Sequence, residues 1–137
     1  MSDAIDWDGL RACAVAALPH AHAPYSGFRV AAALLADDGR IFTGVNVENA
    51  SYGLTVCAER NAVGAAVAAG ARAFTAIAVV CSGTEPPAPC GACRQVLAEF
   101  PPAFAVRAYG ADDRVLATHT DALLPHAFGP ATFRDER

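Results

Sequence analysis

Three cysteines, Cys57, Cys90 and Cys93, stand at the predicted starts of two helices. A helix amino terminus carries partial positive charge and free N–H groups, which lower the pKa of a thiol and prepare it to bind metal. The two residues between Cys90 and Cys93 let both sulfurs face one ion, and Cys57 would supply a third sulfur. Because zinc in proteins takes four ligands, three cysteines leave one position open for a water molecule. The spacing predicts a catalytic zinc, one per chain.

Two charged residues, Glu59 and Arg60, lie two and three positions after the first cysteine. Glu59 is close enough to the expected metal to move protons to and from the water without being a ligand itself. Three thiolates would give the zinc site a net negative charge, and Arg60 could offset that charge by donating hydrogen bonds to two of the sulfurs. We therefore predict that Glu59 transfers protons and that Arg60 offsets the negative charge of the zinc thiolates.

The cysteines also allow interpretations that involve no catalytic zinc. The Cys90-Gly-Ala-Cys93 spacing alone is typical of a thioredoxin-like redox pair, and a fourth protein ligand would make the zinc purely structural. Cys13 and Cys81 are expected to be small buried residues. The histidines that could close the zinc site are His20, His22, His119 and His126, of which the first two are most simply exposed in a loop.

The composition excludes several other functions. All 10 cationic residues are arginines, so a Walker A lysine and a lysine Schiff base are both impossible. A net charge of -4 gives polyanions such as nucleic acids little attraction. The chain contains no apolar run of about 18 residues that could cross a membrane. With no signal-peptide pattern at the acidic start, we expect a cytoplasmic protein that uses its five cysteines as thiols.

The 137 residues suit one domain, residues 1–137, and contain no internal repeat. Helical periodicity, strand-like runs and turn signals alternate along the chain, with Pro19 and Gly70 as helix stops. Asp-Asp-Gly at 37–39 predicts a hairpin in which the first two strands pair antiparallel. The order of elements predicts an α/β fold, a three-layer α/β/α sandwich with a mixed five-stranded sheet, whose third and fourth strands run parallel. The predicted helices are 6–18, 57–69 and 91–100; the predicted strands are 28–35, 41–47, 76–81, 103–109 and 115–120, with a loop at 82–89.

Four linked motifs make a resemblance recognisable. They are Pro-Tyr-Ser-Gly-Phe-Arg-Val at 24–30, Gly-Val-Asn-Val-Glu-Asn-Ala-Ser-Tyr at 44–52, Cys-Ala-Glu-Arg at 57–60 and Pro-Cys-Gly-Ala-Cys-Arg-Gln at 89–95. Together they resemble the small homotetrameric cytidine deaminases of pyrimidine salvage, over nearly the whole chain. The resemblance implies zinc-dependent hydrolysis of cytidine and 2′-deoxycytidine to uridine and 2′-deoxyuridine plus ammonia. It also implies that Cys57, Cys90 and Cys93 bind the zinc and that Glu59 transfers protons.

The resemblance further implies how a nucleoside would bind. Phe28 would pack on the pyrimidine, the Ala58 backbone N–H would meet the base carbonyl, and Asn46 and Glu48 would hydrogen-bond the ribose 3′-hydroxyl. A neighbouring chain of the tetramer would close each active site. Its contributing residues would be Ala50, Tyr52 and Phe128. The sequence departs from the family pattern at Arg29, Ala31, Gly53 and Thr55.

Two alternative functions remain open from the sequence. The blasticidin-type aminonucleoside deaminases look similar around both zinc motifs, but they resemble this chain less at Glu48, where a carboxylate suits a free sugar hydroxyl. A non-catalytic, zinc-stabilised binding module would differ by a closed fourth ligand and by the absence of ammonia release.

Overall fold

The computed structural model describes residues 4–133, which form a mixed five-stranded sheet with helices on both faces. The strands lie in the order β2-β1-β3-β4-β5, and only β3 and β4 are parallel. The helices are α1 (Trp7–Ala17), α2 (Ala58–Ala68), α3 (Gly91–Ala98) and α4 (Thr120–Leu123); the strands are β1 (Val30–Ala36), β2 (Ile41–Val45), β3 (Phe74–Cys81), β4 (Ala105–Tyr109) and β5 (Val115–His119). Three 3₁₀ turns lie at Leu18–His20, Tyr52–Leu54 and Pro130–Phe133.

Successive residues of β1 pack alternately on the two faces of the sheet. Ala31 and Ala33 face the layer of α1, where they join Leu10 in one buried cluster. Ala32 and Leu34 point the other way, into a second cluster shared with α2 and α3. This alternation has the period of two that a strand requires, and it confirms the predicted three-layer sandwich.

The predicted hairpin and parallel crossover are both confirmed. β1 and β2 pair antiparallel around a turn in which Gly39 adopts φ +93°, a conformation that favours glycine. β3 and β4 are parallel, with Ile77 opposite Val106, and α3 lies between them in sequence. The crossover brings the start of α3 to the end of β3, which is where the pair of closely spaced cysteines lies.

Several predicted boundaries were wrong by a few residues. β1 begins at Val30, not at residue 28, and β3 begins at Phe74, two residues earlier than predicted. The early start of β3 reflects packing of the Phe74 ring on those of Phe100 and Phe104, at centroid distances of 5.2 and 5.8 Å. α3 ends at Ala98 rather than at residue 100. The short helix α4 and the three 3₁₀ turns were not predicted.

Helix α2 rests directly on strand β2 at Gly44. A Cβ atom built at Gly44 would overlap the Ala58 carbonyl oxygen and the Ala62 backbone nitrogen. Only glycine allows this approach, so the first turn of α2 contacts the sheet through main-chain atoms.

No helix among residues 4–133 is long and apolar enough to span a membrane.

Candidate active site

The three predicted metal-binding cysteines lie together. The Sγ atoms of Cys57 and Cys90 are 3.6 Å apart, and those of Cys90 and Cys93 are 3.4 Å apart. All three sulfurs lie within 4.8 Å of one another. Zinc with four ligands and a zinc–sulfur distance of about 2.3 Å places its sulfurs about 3.8 Å apart, so the arrangement fits that ion closely. Soft sulfur donors in this number also favour zinc over magnesium or calcium.

Two helix starts hold these sulfurs. Cys57 is the N-cap residue of α2, and Cys90 is the N-cap residue of α3, with Cys93 inside the first turn of the same helix. The amino termini of both helices therefore point their partial positive charge at the sulfur cluster, as the sequence predicted. Cys93 is buried, whereas Cys90 is exposed.

Hydrogen bonds within the cluster shift the pKa values of Cys57 and Cys93 in opposite directions. A hydrogen bond from the Cys93 thiol, with smaller contributions from Arg60 and Cys90, lowers the pKa of Cys57 to about 5. The same hydrogen bond raises the pKa of Cys93, so one proton is held between the sulfurs, and binding of a metal would displace it. Arg60 Nη2 lies 3.7 Å from the Cys57 sulfur, in the supporting position predicted for it.

No fourth protein ligand completes the cluster among residues 4–133. The group of metal-binding atoms that lie close to one another contains three sulfurs and none of the four histidines. His20 and His22 are exposed, as expected. Among the described residues, the histidines that could make a closed, four-ligand zinc site are therefore not grouped with the three sulfurs.

Glu59 lies in the first turn of α2, close to the sulfurs of Cys57 and Cys93. Its side chain is buried, with 5% of the residue exposed. Burial is the main cause that raises the pKa of Glu59 above its ordinary value, and the neighbouring negative charge of Cys57 adds to it. A buried carboxyl group with a raised pKa takes up a proton more readily than an exposed one, which suits a group that transfers protons.

A cavity of about 460 Å³ opens in front of Glu59 and Cys57. This size suits a nucleoside-sized molecule. Its lining includes four of the predicted site residues besides Cys57: Phe28, Asn46, Ala58 and Glu59. The structure thus brings together residues that are up to 31 positions apart in the sequence, from three separate motifs.

Asn46 joins the cavity to the segment that carries Phe28. Its Oδ1 atom accepts a hydrogen bond from the Val30 N–H at 2.9 Å, and its Nδ2 donates to the Phe28 carbonyl at 2.9 Å. The buried amide therefore holds the backbone on both sides of residue 29. Its second N–H is chemically able to serve a ligand in addition.

Glu48 lies outside the lining of this cavity. Its Oε1 accepts hydrogen bonds from the N–H groups of Tyr25 and Ser26, at 3.0 and 3.1 Å, and its Oε2 accepts one from the Ser26 hydroxyl. These bonds, the hydroxyl first, keep the pKa of Glu48 below its ordinary value. Glu48 thus fixes the turn that precedes Phe28, and it lines a neighbouring depression with Tyr52.

The three residues assigned to a neighbouring chain are exposed in this chain. Tyr52 is 73% exposed and Phe128 is 60% exposed. Ala50 is exposed as well, and none of the three lines the cavity in front of Glu59. Phe128 contacts the ring of Phe133 at 5.6 Å, and Gln95 Nε2 donates to its carbonyl.

Sequence reasoning missed the second wall of the cavity. The segment from Gly83 to Ala88 lines the side that faces Phe28. Its prolines and glycine predicted a loop without predicting where the loop would lie. The available signal was its position, because a segment that ends at Pro89 must end beside the sulfur of Cys90.

Comparison with known proteins gives one consistent result. Residues 8–107 match the model of the cytidine and deoxycytidylate deaminase zinc-binding region, a stretch that includes all three clustered cysteines. The cytidine deaminase of Mycobacterium tuberculosis is 45% identical over 125 residues, which cover 91% of each protein. That of Sporosarcina psychrophila is 58% identical over 80 residues, and this match spans less than two thirds of either protein, 58% of this chain and 59% of the relative.

A solved structure resembles the whole fold. The crystal structure of cytidine deaminase from Burkholderia pseudomallei superposes with a TM-score of 0.86 at 50% identity, covering 90% of this chain and 100% of that one. The matched zinc-binding region and the geometry of the sulfur cluster identify zinc as the metal of this site. On the match over most of its length, this chain belongs to the zinc-dependent cytidine deaminase family of enzymes.

Proposed function

We propose that this chain catalyses the hydrolytic deamination of cytidine and 2′-deoxycytidine to uridine and 2′-deoxyuridine, with release of ammonia. The observation that carries the proposal is the buried carboxyl of Glu59 beside three clustered thiols, at the end of a nucleoside-sized cavity. A binding module would have no need for a buried proton carrier beside an incomplete ligand set.

Cys57, Cys90 and Cys93 would hold one zinc ion per chain. When bound, zinc acts as a Lewis acid that lowers the pKa of a water molecule at the open position. Arg60 supports the thiolate form of its neighbour, because its guanidinium donates toward the Cys57 sulfur. Both helix amino termini add positive potential at the same point.

Glu59 would carry the protons of the reaction. It accepts one proton from the attacking water and passes it to N3 of the cytosine ring, while the water oxygen forms a bond to C4. It then moves the remaining hydroxyl proton to the exocyclic amine, the C4–N bond breaks, and ammonia leaves a carbonyl at C4. Burial of Glu59 supports this role, since a raised pKa lets one group act as base and then as acid.

The cavity walls would orient the nucleoside. The Phe28 ring lines the cavity and suits the face of a pyrimidine. Ala58 is the first residue of α2, where backbone N–H groups have no partner within the helix, and its N–H would meet the base carbonyl. Asn46 and Glu48 would read the ribose 3′-hydroxyl, Asn46 through its second N–H.

We further propose a homotetramer whose active sites are shared between chains. Ala50, Tyr52 and Phe128 would each reach the site of a neighbouring chain. The exposure of two large aromatic rings supports this assembly, because Tyr52 and Phe128 find little apolar cover in their own chain. A neighbour's aromatic ring would also exclude water from the reacting atoms.

The proposed physiological role is pyrimidine salvage in the cytoplasm. A reducing compartment keeps the three ligand thiols from forming disulfides, which supports this location. Nucleic acid is not a proposed substrate, because the net charge of -4 repels a polyanion.

The decisive experiment follows absorbance and ammonia release with cytidine, 2′-deoxycytidine and blasticidin S as separate substrates. We expect turnover of the two nucleosides, loss of activity on zinc chelation and recovery on zinc addition. Ammonia release from blasticidin S alone would favour the blasticidin-type deaminase, and no ammonia from any substrate by the zinc-loaded protein would contradict the proposal.

A further inference from the structure

The cavity wall at 83–88 is held in place from outside the cavity, by the turn that joins β4 to β5. The N–H of Ala111 in this turn donates to the Gly83 carbonyl at 2.7 Å. Arg114 Nη1 forms an ion pair with Glu85 Oε1 at 3.1 Å. The turn itself is closed by a hydrogen bond from the Gly110 N–H to the Arg114 carbonyl at 3.1 Å. Two residues of the wall are thus attached to one compact turn.

Gly110 is the point of closest contact between the turn and the wall. It is buried, and a Cβ atom built on it would overlap the Thr84 carbonyl oxygen and lie 2.7 Å from the Thr84 carbonyl carbon. Its φ lies outside the left-handed region, so its backbone conformation would accept alanine. Glycine is therefore required at this position because a side chain would have no room beside Thr84, and not because of the backbone conformation.

The wall is also confined by contacts of Gly83 and Glu85. A Cβ atom on Gly83 would lie only 3.1 Å from Cε1 of Phe28, the ring that forms the facing wall. The Cys81 thiol donates to the carbonyl oxygens of Gly83 and Glu85, at 3.3 and 3.5 Å. A displacement of the wall away from Gly110 would therefore change the position of Gly83 beside Phe28 and, with it, the width of the cavity that both residues line.

We infer that Gly110 is a positioning residue that sets the width of the nucleoside pocket through Thr84 and Gly83. This inference rests on the proposed function, since it takes the cavity to be the nucleoside pocket. Gly110 acts on binding and leaves the chemical step intact, because Glu59 and Cys57 lie on α2. The start of α3 has its own anchor, a hydrogen bond from Arg94 Nε to the carbonyl of buried Pro89 at 2.7 Å.

The test is the variant Gly110→Ala, measured in steady-state kinetics and by calorimetric titration with uridine, the proposed product. We expect the KM for cytidine and the Kd for uridine each to rise about 10-fold, because a displacement near 1 Å has large effects on positioning. The kcat should stay within about threefold of the wild type, and zinc content should be unchanged. A merely structural role would lower the amount of active protein without this split between KM and kcat.

Gly64→Ala is the matched control, since Gly64 is exposed on α2 and a Cβ there would contact nothing within 4 Å. It should leave KM and Kd unchanged. If Gly110→Ala does not fold, Arg114→Ala loosens the same wall from an exposed position, and its KM and Kd should rise about twofold to fourfold.

If the wild type deaminates cytidine but the folded Gly110→Ala variant has unchanged KM and Kd, the inference is wrong. If Gly110→Ala does not fold, unchanged KM and Kd in Arg114→Ala overturn the inference instead. A wild-type protein that neither binds uridine nor deaminates cytidine would instead overturn the proposed function.

Discussion

The carboxylate of Glu48 accepts a hydrogen bond from the hydroxyl of Ser26, and the same hydroxyl accepts one from the Phe28 N–H at 3.0 Å. Glu48, for which sugar binding is proposed, therefore shapes the turn that precedes Phe28. The turn contacts and the proposed contact with the sugar predict two separate effects of changing Glu48, and different measurements detect them.

The structural role predicts a pH-dependent contribution to stability. The folded-state pKa of Glu48 is lowered, so its contribution is fully present above the ordinary value of 4.5 and is lost as the pH falls through the folded-state value. The stability difference between the wild type and Glu48→Gln should be largest near pH 7 and should shrink below about pH 4.5. Urea unfolding at pH 7, 5, 4 and 3 measures it, with exposed Glu99→Gln as the control. A difference that stays constant over this range would contradict the prediction.

The binding role predicts a loss that depends on the sugar. Glu48→Ala should lower kcat/KM about 10-fold or more for cytidine, but much less for 3′-deoxycytidine, which lacks the hydroxyl. Loosening of the turn would affect both substrates alike, so the ratio between them isolates the contact with the sugar. Equal losses on both substrates would mean that Glu48 acts only through the turn.

The sulfur cluster predicts which cysteines bind zinc. Metal analysis should find about one zinc per chain in the wild type and almost none in Cys57→Ala or Cys90→Ala. Cys13→Ala should keep its zinc, because Cys13 lies on α1, which packs on the face of the sheet opposite to α2 and α3. A wild-type protein with full activity and no zinc would remove the basis of the proposed mechanism.

Glu59→Gln should separate proton transfer from metal binding. The amide preserves the shape of the side chain but cannot accept a proton, so turnover should fall by about 10²-fold to 10⁴-fold or more. Zinc content and unfolding temperature should remain close to wild type. Glu99→Gln, the same substitution on an exposed residue, should retain full turnover. Near-normal turnover of Glu59→Gln would show that another group moves the protons.

Shared active sites predict complementation between two defective chains. Glu59→Gln and Phe128→Ala subunits, refolded together, should form some sites with an intact Glu59 from one chain and an intact Phe128 from its neighbour. The activity of the mixture should exceed the sum of the two variants refolded alone. A fully active monomer in sedimentation, or a mixture that never exceeds that sum, would exclude shared sites.

The parts of the fold that depend on local sequence were predictable. The N-cap position of Cys57 follows from an alanine-rich segment without proline, and the Gly39 turn follows from the Asp-Asp-Gly signal. The four-residue helix α4 was missed because its anchor is distant. The Thr120 hydroxyl accepts from the Phe104 N–H at 3.2 Å, across 16 positions of sequence, and no local periodicity reports such a contact.

The candidate site likewise contains a part that was predictable from local sequence and a part that depends on distant contacts. The metal-binding cysteines and Glu59 carry their chemistry in residue type and spacing, so the sequence predicted their cluster and their neighbourhood. The cavity wall beside Gly83 depends on main-chain atoms that meet across the fold. Its prolines and glycine predicted only irregular structure, since composition does not specify the direction in which a loop runs.

The contact between β2 and α2 at Gly44 has a consequence for how this enzyme can change over evolutionary time. The helix that begins after Cys57 and carries Glu59 meets β2 here through main-chain atoms of Ala58 and Ala62, which every amino acid has. Exchange of side chains elsewhere in the core over many generations therefore leaves the atoms of this contact in the chain. Gly44 itself has no such freedom, and a lineage that lost it would have to rebuild the active site around a displaced helix.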